Sequence, residues 1–135
     1  DDDSFATIDL SAIDLYNGKI EFVKIGAAPT FIKRQNKVEV VKTVSLPAGI
    51  LSNIDTELVC KNADNGDFII MVTDGIIDSF KLEEGGEQNL IKFIEDIDTI
   101  NPQGIADLIL AEAYSKCKDK PVDDMTVLVA KVWKR

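Results

Sequence analysis

The sequence predicts an α+β layered domain, and three observations carry that expectation. Short apolar runs punctuated by turn residues fill the first half of the chain, two stretches of helical periodicity follow, and one more apolar run closes it. At 135 residues the chain is one domain at most, long enough to bury a real core.

From Phe5 the pattern is strand-like, with Ile8, Leu10, Ile13 and Leu15 apolar. Asn17-Gly18 then separates it from Ile20–Ile25, which is the strongest short-range hairpin signal, and places Ile20 and Phe22 on one face. Gly26-Ala27-Ala28-Pro29 interrupts the run, Thr30–Arg34 resumes it, and Gln35-Asn36-Lys37 turns it toward Val38–Val44, so that the first half reads as an antiparallel meander. Leu46–Leu51 is a small-residue connection to a further strand, Thr56–Cys60, in which Cys60 reads as a small core residue. A cluster of Asn, Asp and Gly from Asn62 to Gly66 makes the next turn.

The run Phe68-Ile69-Ile70-Met71-Val72 is continuous and apolar, the signature of a strand buried on both faces. It delivers Asp74-Gly75 to the point where the sheet ends. A carboxylate there is expected to be partly desolvated and to need a cation, a donor network or a metal ion. Ser79–Gln88, with Glu83, Glu84 and Glu87, reads as a mobile acidic loop. Leu90, Phe93, Ile94 and Ile97 recur at helical spacing. A second helix opens with Asn101 as N-cap and Pro102 at its first position, continues through Ile105, Leu108 and Ile109, with Ala106, Leu110 and Ala113 widening the stripe, and ends among Lys116, Lys118 and Lys120. Both stripes read as core packed against the sheet. Val127–Trp133 is the closing strand, with Asp123 and Asp124 just before it.

Composition narrows the chemistry. The net charge of −9, from 24 acidic and 15 basic residues, argues against nonspecific nucleic-acid binding. No apolar run is long enough to span a bilayer. Histidine is absent, which removes Ser-His-Asp and Cys-His catalysis and His-ligated zinc, and leaves oxygen ligands and a hard cation for any metal site. Cys60 and Cys117 form no Cys-x-x-Cys and no disulfide framework, which fits a cytoplasmic setting. If the closing strand runs antiparallel to Phe68–Val72, Asp74 meets Asp123 and Asp124 at one rim of the sheet, an arrangement of like charges that is stable only with a cation between them or with shifted pKa values. Thr73-Asp74-Gly75-Ile76-Ile77-Asp78-Ser79 also resembles the Asp-x-Asp-Gly-x-x-x-Asp signature of haloacid-dehalogenase phosphatases. Their nucleophile position falls here on Val72, which cannot attack phosphorus, so that reading fails.

Val72-Thr73-Asp74-Gly75-Ile76, a spacer of two helices, and Asp123-Asp124-Met125-Thr126-Val127 resemble the two C-terminal metal motifs of the metal-dependent serine/threonine phosphatases, the protein phosphatase 2C superfamily. Ile8–Gly18, Ile25–Arg34 and Ser45–Leu51 resemble its bacterial sporulation branch, and the likeness runs in register from Phe5 to Val132.

The resemblance implies an antiparallel β-sandwich flanked by helices, with Asp74 and Asp123 as ligands of a two-metal Mn²⁺ or Mg²⁺ site. Gly75 and Asp124 support it, and Asp78 lies on the surface. It implies hydrolysis of a phosphoserine on a phosphorylated anti-anti-sigma factor, in a parent protein anchored in the membrane at the sporulation septum. The earlier Asp-Gly motif that bridges both metals in this superfamily has no counterpart here; Asp1-Asp2-Asp3 lacks the glycine and reads as a disordered lead-in over residues 1–4. The chain is therefore expected to be the C-terminal part of one phosphatase domain, incomplete on its own, without contact to membrane or nucleic acid. A non-catalytic phosphoprotein-binding or homodimerising domain on the same scaffold is the alternative.

Overall fold

The computed structural model describes residues 6–43, 57–118 and 123–135. The expected lead-in at Asp1–Asp3, the Leu46–Leu51 connection and Lys120 lie outside them. The elements are β1 (Ile8–Ile13), β2 (Lys19–Ile25), β3 (Thr30–Arg34), β4 (Lys37–Val41), β5 (Glu57–Asn62), β6 (Phe68–Val72), α1 (Asp74–Lys81), α2 (Glu87–Asp96), α3 (Pro102–Lys116) and β7 (Val127–Lys131).

Among the described residues seven strands form two antiparallel sheets, one ordered β1-β2-β5 and the other β4-β3-β6-β7. The expected single meander is thus corrected. Asn17-Gly18 closes the β1–β2 hairpin and Gln35 (φ 51°) helps close β3–β4, but Gly26 (φ 60°) and the residues to Pro29 carry the chain from one sheet to the other.

The sheets pack face to face. Ile20 and Phe22 of β2 meet Ile32 of β3, Val41 of β4 and Ile69 of β6 in one core. The opposite face of the four-stranded sheet presents Phe31, Phe68, Ile70 and Val72 to the helices, which return Ile76, Phe80, Leu90, Ile94, Ile105 and Ile109. Each such side chain contributes about 1.5–3 kcal/mol by leaving water, so this helix-facing layer holds much of the fold together. β6 lies in the interior of its sheet with its residues buried or half-buried, as a continuous apolar run requires.

Three expectations change here. The acidic stretch after Asp74 is not a loop: α1 occupies Asp74–Lys81 and α2 starts at Glu87, so only a short turn remains. Cys60 is exposed, because β5 turns it to the outer face of its sheet, whereas Cys117 is buried. On α3 only Ile105, Ile109 and Ala113 are buried, while Leu108 and Leu110 are exposed. The Asn101 cap is as expected, its side chain accepting from the Gln103 amide at 3.0 Å.

Candidate metal-binding rim

β6 and β7 pair antiparallel with Val72 opposite Val127, so the end of β6 and the start of β7 share one rim of the sheet. The ladder extends beyond that pair: the Thr73 amide donates to the Thr126 carbonyl at 3.1 Å. The Thr73 hydroxyl then bridges the two segments, donating to the Asp124 carbonyl at 3.0 Å and accepting from the Thr126 amide at 2.8 Å. Each segment carries its carboxylate beside this clamp. No sequence motif assigns Thr73 and Thr126 this role; the signal for it is a threonine beside each aspartate motif.

Gly75 is the residue that lets the segments touch. It is buried in the first turn of α1, and a Cβ there would run into the Asp124 carbonyl oxygen and stand 3.1 Å from that of Asp123. Asp74 begins α1 with Thr73 as N-cap, where the partial positive charge of the helix N-terminus favours a carboxylate. The expected partial desolvation of Asp74 is corrected: Thr73 and Asp74 are exposed, because burial along β6 ends at Val72 and the chain turns out of the layer at once. Asp123 and Asp124 are also exposed, and Asp123 Oδ1 accepts from the Asp124 amide at 2.8 Å. Asp78 pairs with Lys81 at 2.9 Å on the exposed side of α1.

Asp74 also lines a shallow cleft of about 250 Å³ with Ala27, Lys42, Thr43, Lys81 and Glu87. Lys81 holds its proton above the usual lysine range through its hydrogen bond to Asp78, with smaller contributions from the charges of Asp78, Asp74 and Glu87. Among the described residues none of Asp74, Asp123 and Asp124 has a basic group within ion-pair distance. Two hard oxygen donors on separate elements, without a protein cation between them, fit a divalent metal in kind. They do not fill a coordination sphere: among the described residues no three carboxylate or thiol side chains gather to hold one.

Residues 1–133 match the stage II sporulation protein E (SpoIIE) family. Stage II sporulation protein E of Bacillus subtilis is 37% identical over 131 residues, which make up 97% of this chain and 16% of that protein. The solved phosphatase domain of the cell fate determinant SpoIIE from Bacillus subtilis, presoaked with Mn, is similar at a TM-score of 0.82 with 34% identity, over 96% of this chain and 57% of that one. The structure of its PP2C phosphatase domain with a fragment of the regulatory domain is similar at a TM-score of 0.88 with 36% identity, over 96% of this chain and 39% of that one. The chain thus spans about a sixth of the full-length relative and a little over half of the solved phosphatase domain. From the matched motifs, the two-sheet sandwich and these likenesses it follows that the chain belongs to the stage II sporulation protein E family, with the fold of its protein phosphatase 2C-type domain.

Proposed function

We propose that this chain supplies one wall of the metal site of a Mn²⁺- or Mg²⁺-dependent protein-serine phosphatase, with Asp74 and Asp123 as ligands. The observation that carries this reading is the seating of Gly75 against the Asp123–Asp124 backbone, which brings the two aspartate motifs together although 48 residues separate Asp74 from Asp123 in the sequence. A divalent ion held there supplies Lewis acidity toward the phosphoryl oxygens and promotes ionisation of the attacking water. The protein's own share is positioning. The Thr73 clamp fixes the spacing of the motifs, α1 sets Asp74 at its positive end, and Asp124 holds Asp123 through its amide. The substrate on this reading is the phosphoserine of a phosphorylated anti-anti-sigma factor. The description of the Bacillus relative as a cell fate determinant supports a regulatory phosphoprotein.

Because no third carboxylate or thiol joins Asp74 and Asp123 among the described residues, the 135-residue chain by itself is expected to bind metal weakly and to be a poor catalyst. Calorimetric titration with Mn²⁺ and a phosphoserine-peptide hydrolysis assay test this: weak binding and background turnover are expected, and robust Mn²⁺-dependent hydrolysis by the chain alone contradicts it. In a longer domain that is active, Asp74→Asn and Asp123→Asn each lower turnover by at least about 100-fold, the upper end of what losing an outer-sphere partner costs. Unchanged turnover in either variant overturns the assignment.

A further inference from the structure

A second cleft, of about 680 Å³, lies at the opposite end of the four-stranded sheet from Asp74, one length of β6 or roughly 17 Å away. Its floor is a cross-strand row. Lys33 of β3 pairs with Phe68 of β6, and Phe68 pairs with Lys131 of β7, so two lysines flank one phenylalanine on the same face. The Lys131 ammonium lies 5.3 Å above the Phe68 ring and 4.7 Å from that of Trp133. Arg34 and Lys37 add two cations at the β3–β4 turn, and Ile97 and Ile100 add apolar wall from the α2–α3 connection.

Some of this charge is spent locally. Arg34 pairs with Asp67 at 2.8 Å, Asp64 pairs with Lys134 at 3.2 Å, and Lys33 donates to the Glu95 carbonyl at 2.9 Å, with Asp98 nearby. Lys131 and Lys37 are different. Among the described residues neither has a carboxylate within ion-pair distance, in a chain whose net charge is −9. Lys33 and Lys131 reach the cleft from the helix-facing side of the sheet, whereas Arg34 and Lys37 are cross-strand partners on its other face, so the cations come from both sides of the sheet end rather than converging on one point, which suits a chain of carboxylates better than a single small oxyanion. Nucleic acid is disfavoured by the acidity of the rest of the surface.

We propose that this cleft docks an acidic peptide segment carrying an apolar side chain, with Lys131 and Lys37 meeting its carboxylates and the exposed Ile100 its apolar group. The site is separate from the rim at Asp74 and does not depend on metal.

Trp133 is the single tryptophan of the chain and touches Lys131, so its fluorescence reports directly on the site. The experiment titrates the metal-free 135-residue chain with the peptide acetyl-Glu-Glu-Phe-Glu-Glu-amide at low salt. A saturable change in Trp133 emission is expected, weakened about tenfold in Lys131→Gln and in Lys37→Gln, in line with losing one charge contact. Lys131→Arg and Lys92→Gln, the latter on exposed α2 surface, bind as the parent does. Circular dichroism checks folding, and exposed Lys37 carries the test if Lys131→Gln unfolds. Absence of saturation to millimolar peptide, equal binding by Lys37→Gln and Lys92→Gln, tighter binding of a single-stranded oligonucleotide, or inorganic phosphate competing mole for mole with the peptide each overturns the proposal.

Discussion

At the scale of the residue, Gly75 decides whether the two aspartate motifs meet. Its φ lies outside the left-handed region, so alanine is acceptable to the backbone there and any penalty comes from space alone. The space is filled by the backbone of Asp123 and Asp124, which cannot rotate away as a side chain would. Gly75→Ala is therefore expected to destabilise the chain by about 1–3 kcal/mol, the usual cost of overpacking, and to displace the Asp123–Asp124 segment. Urea unfolding measures the first effect, and amide chemical shifts of Thr126 and Val127 the second. A variant as stable as the parent, with unmoved shifts, shows that the contact is not tight. Asp74→Asn is the contrasting case: the side chain is exposed and without an ion-pair partner among the described residues, so stability changes by less than about 0.5 kcal/mol while Mn²⁺ binding falls. The pairing of Asp74 with the Asp123 segment was legible because β6 and β7 are both strong apolar runs ending in carboxylates. The exposure of Cys60 was not, since alternation within a short strand does not say which face a neighbouring layer covers, and neither was that of Asp74, since the strand pattern does not show that the chain leaves the buried layer directly after Val72.

At the scale of the element, the hairpins and α3 were legible from local chemistry, and α1 was not. Eight residues give barely two turns, too few for periodicity to show, and Gly75 in the first turn resembles a loop signal. The cue lay in Thr73 as N-cap with Ile76, Ile77 and Phe80 behind it. For α3, whose Asn101 side chain satisfies an orphan amide, Asn101→Ala is expected to cost about 1 kcal/mol in urea unfolding, and no measurable loss would show that Pro102 alone fixes the start. At the end of α2, which has no basic residue in its last turn, Lys33 reaches across from β3 to the Glu95 carbonyl, while Glu95 Oε1 accepts from the Val38 amide at 3.3 Å. Burial pushes the Lys33 pKa below its ordinary 10.5, and Asp98, Glu95 and Asp96 only partly oppose this. The folded chain therefore holds that proton less tightly than the unfolded chain. Stability rises as pH climbs through the depressed value toward 10.5. Comparing urea unfolding at pH 8 and pH 10, the stability of the parent relative to Lys33→Met is expected to grow with pH; a difference that shrinks would mean that the site favours the charged lysine.

At the scale of the whole molecule, the sequence order of strands conceals that there are two sheets. The β1–β2 and β3–β4 hairpins are consecutive and chemically alike, and only the bend at Gly26–Pro29 separates them. What locks the sheets together also lies in side chains whose partners are distant in sequence. Lys24, fully buried on β2, donates to Asp9 of β1 at 2.6 Å and to the Thr30 hydroxyl of β3 at 2.8 Å, so one ammonium ties the three-stranded sheet to the four-stranded one. The pair is not fully satisfied, because Asp9 Oδ1 is buried without a hydrogen-bond partner among the described residues. Removing the cation alone leaves that carboxylate uncompensated, whereas removing both charges deletes the problem with the bond. Lys24→Met is accordingly expected to cost about 3–5 kcal/mol in urea unfolding, and Lys24→Met combined with Asp9→Leu considerably less than the sum of the two single changes. Strict additivity in that double-mutant cycle would mean that the two side chains are neighbours without coupling, and that the apolar core around Phe22, Ile32 and Ile69 holds the sandwich closed without them.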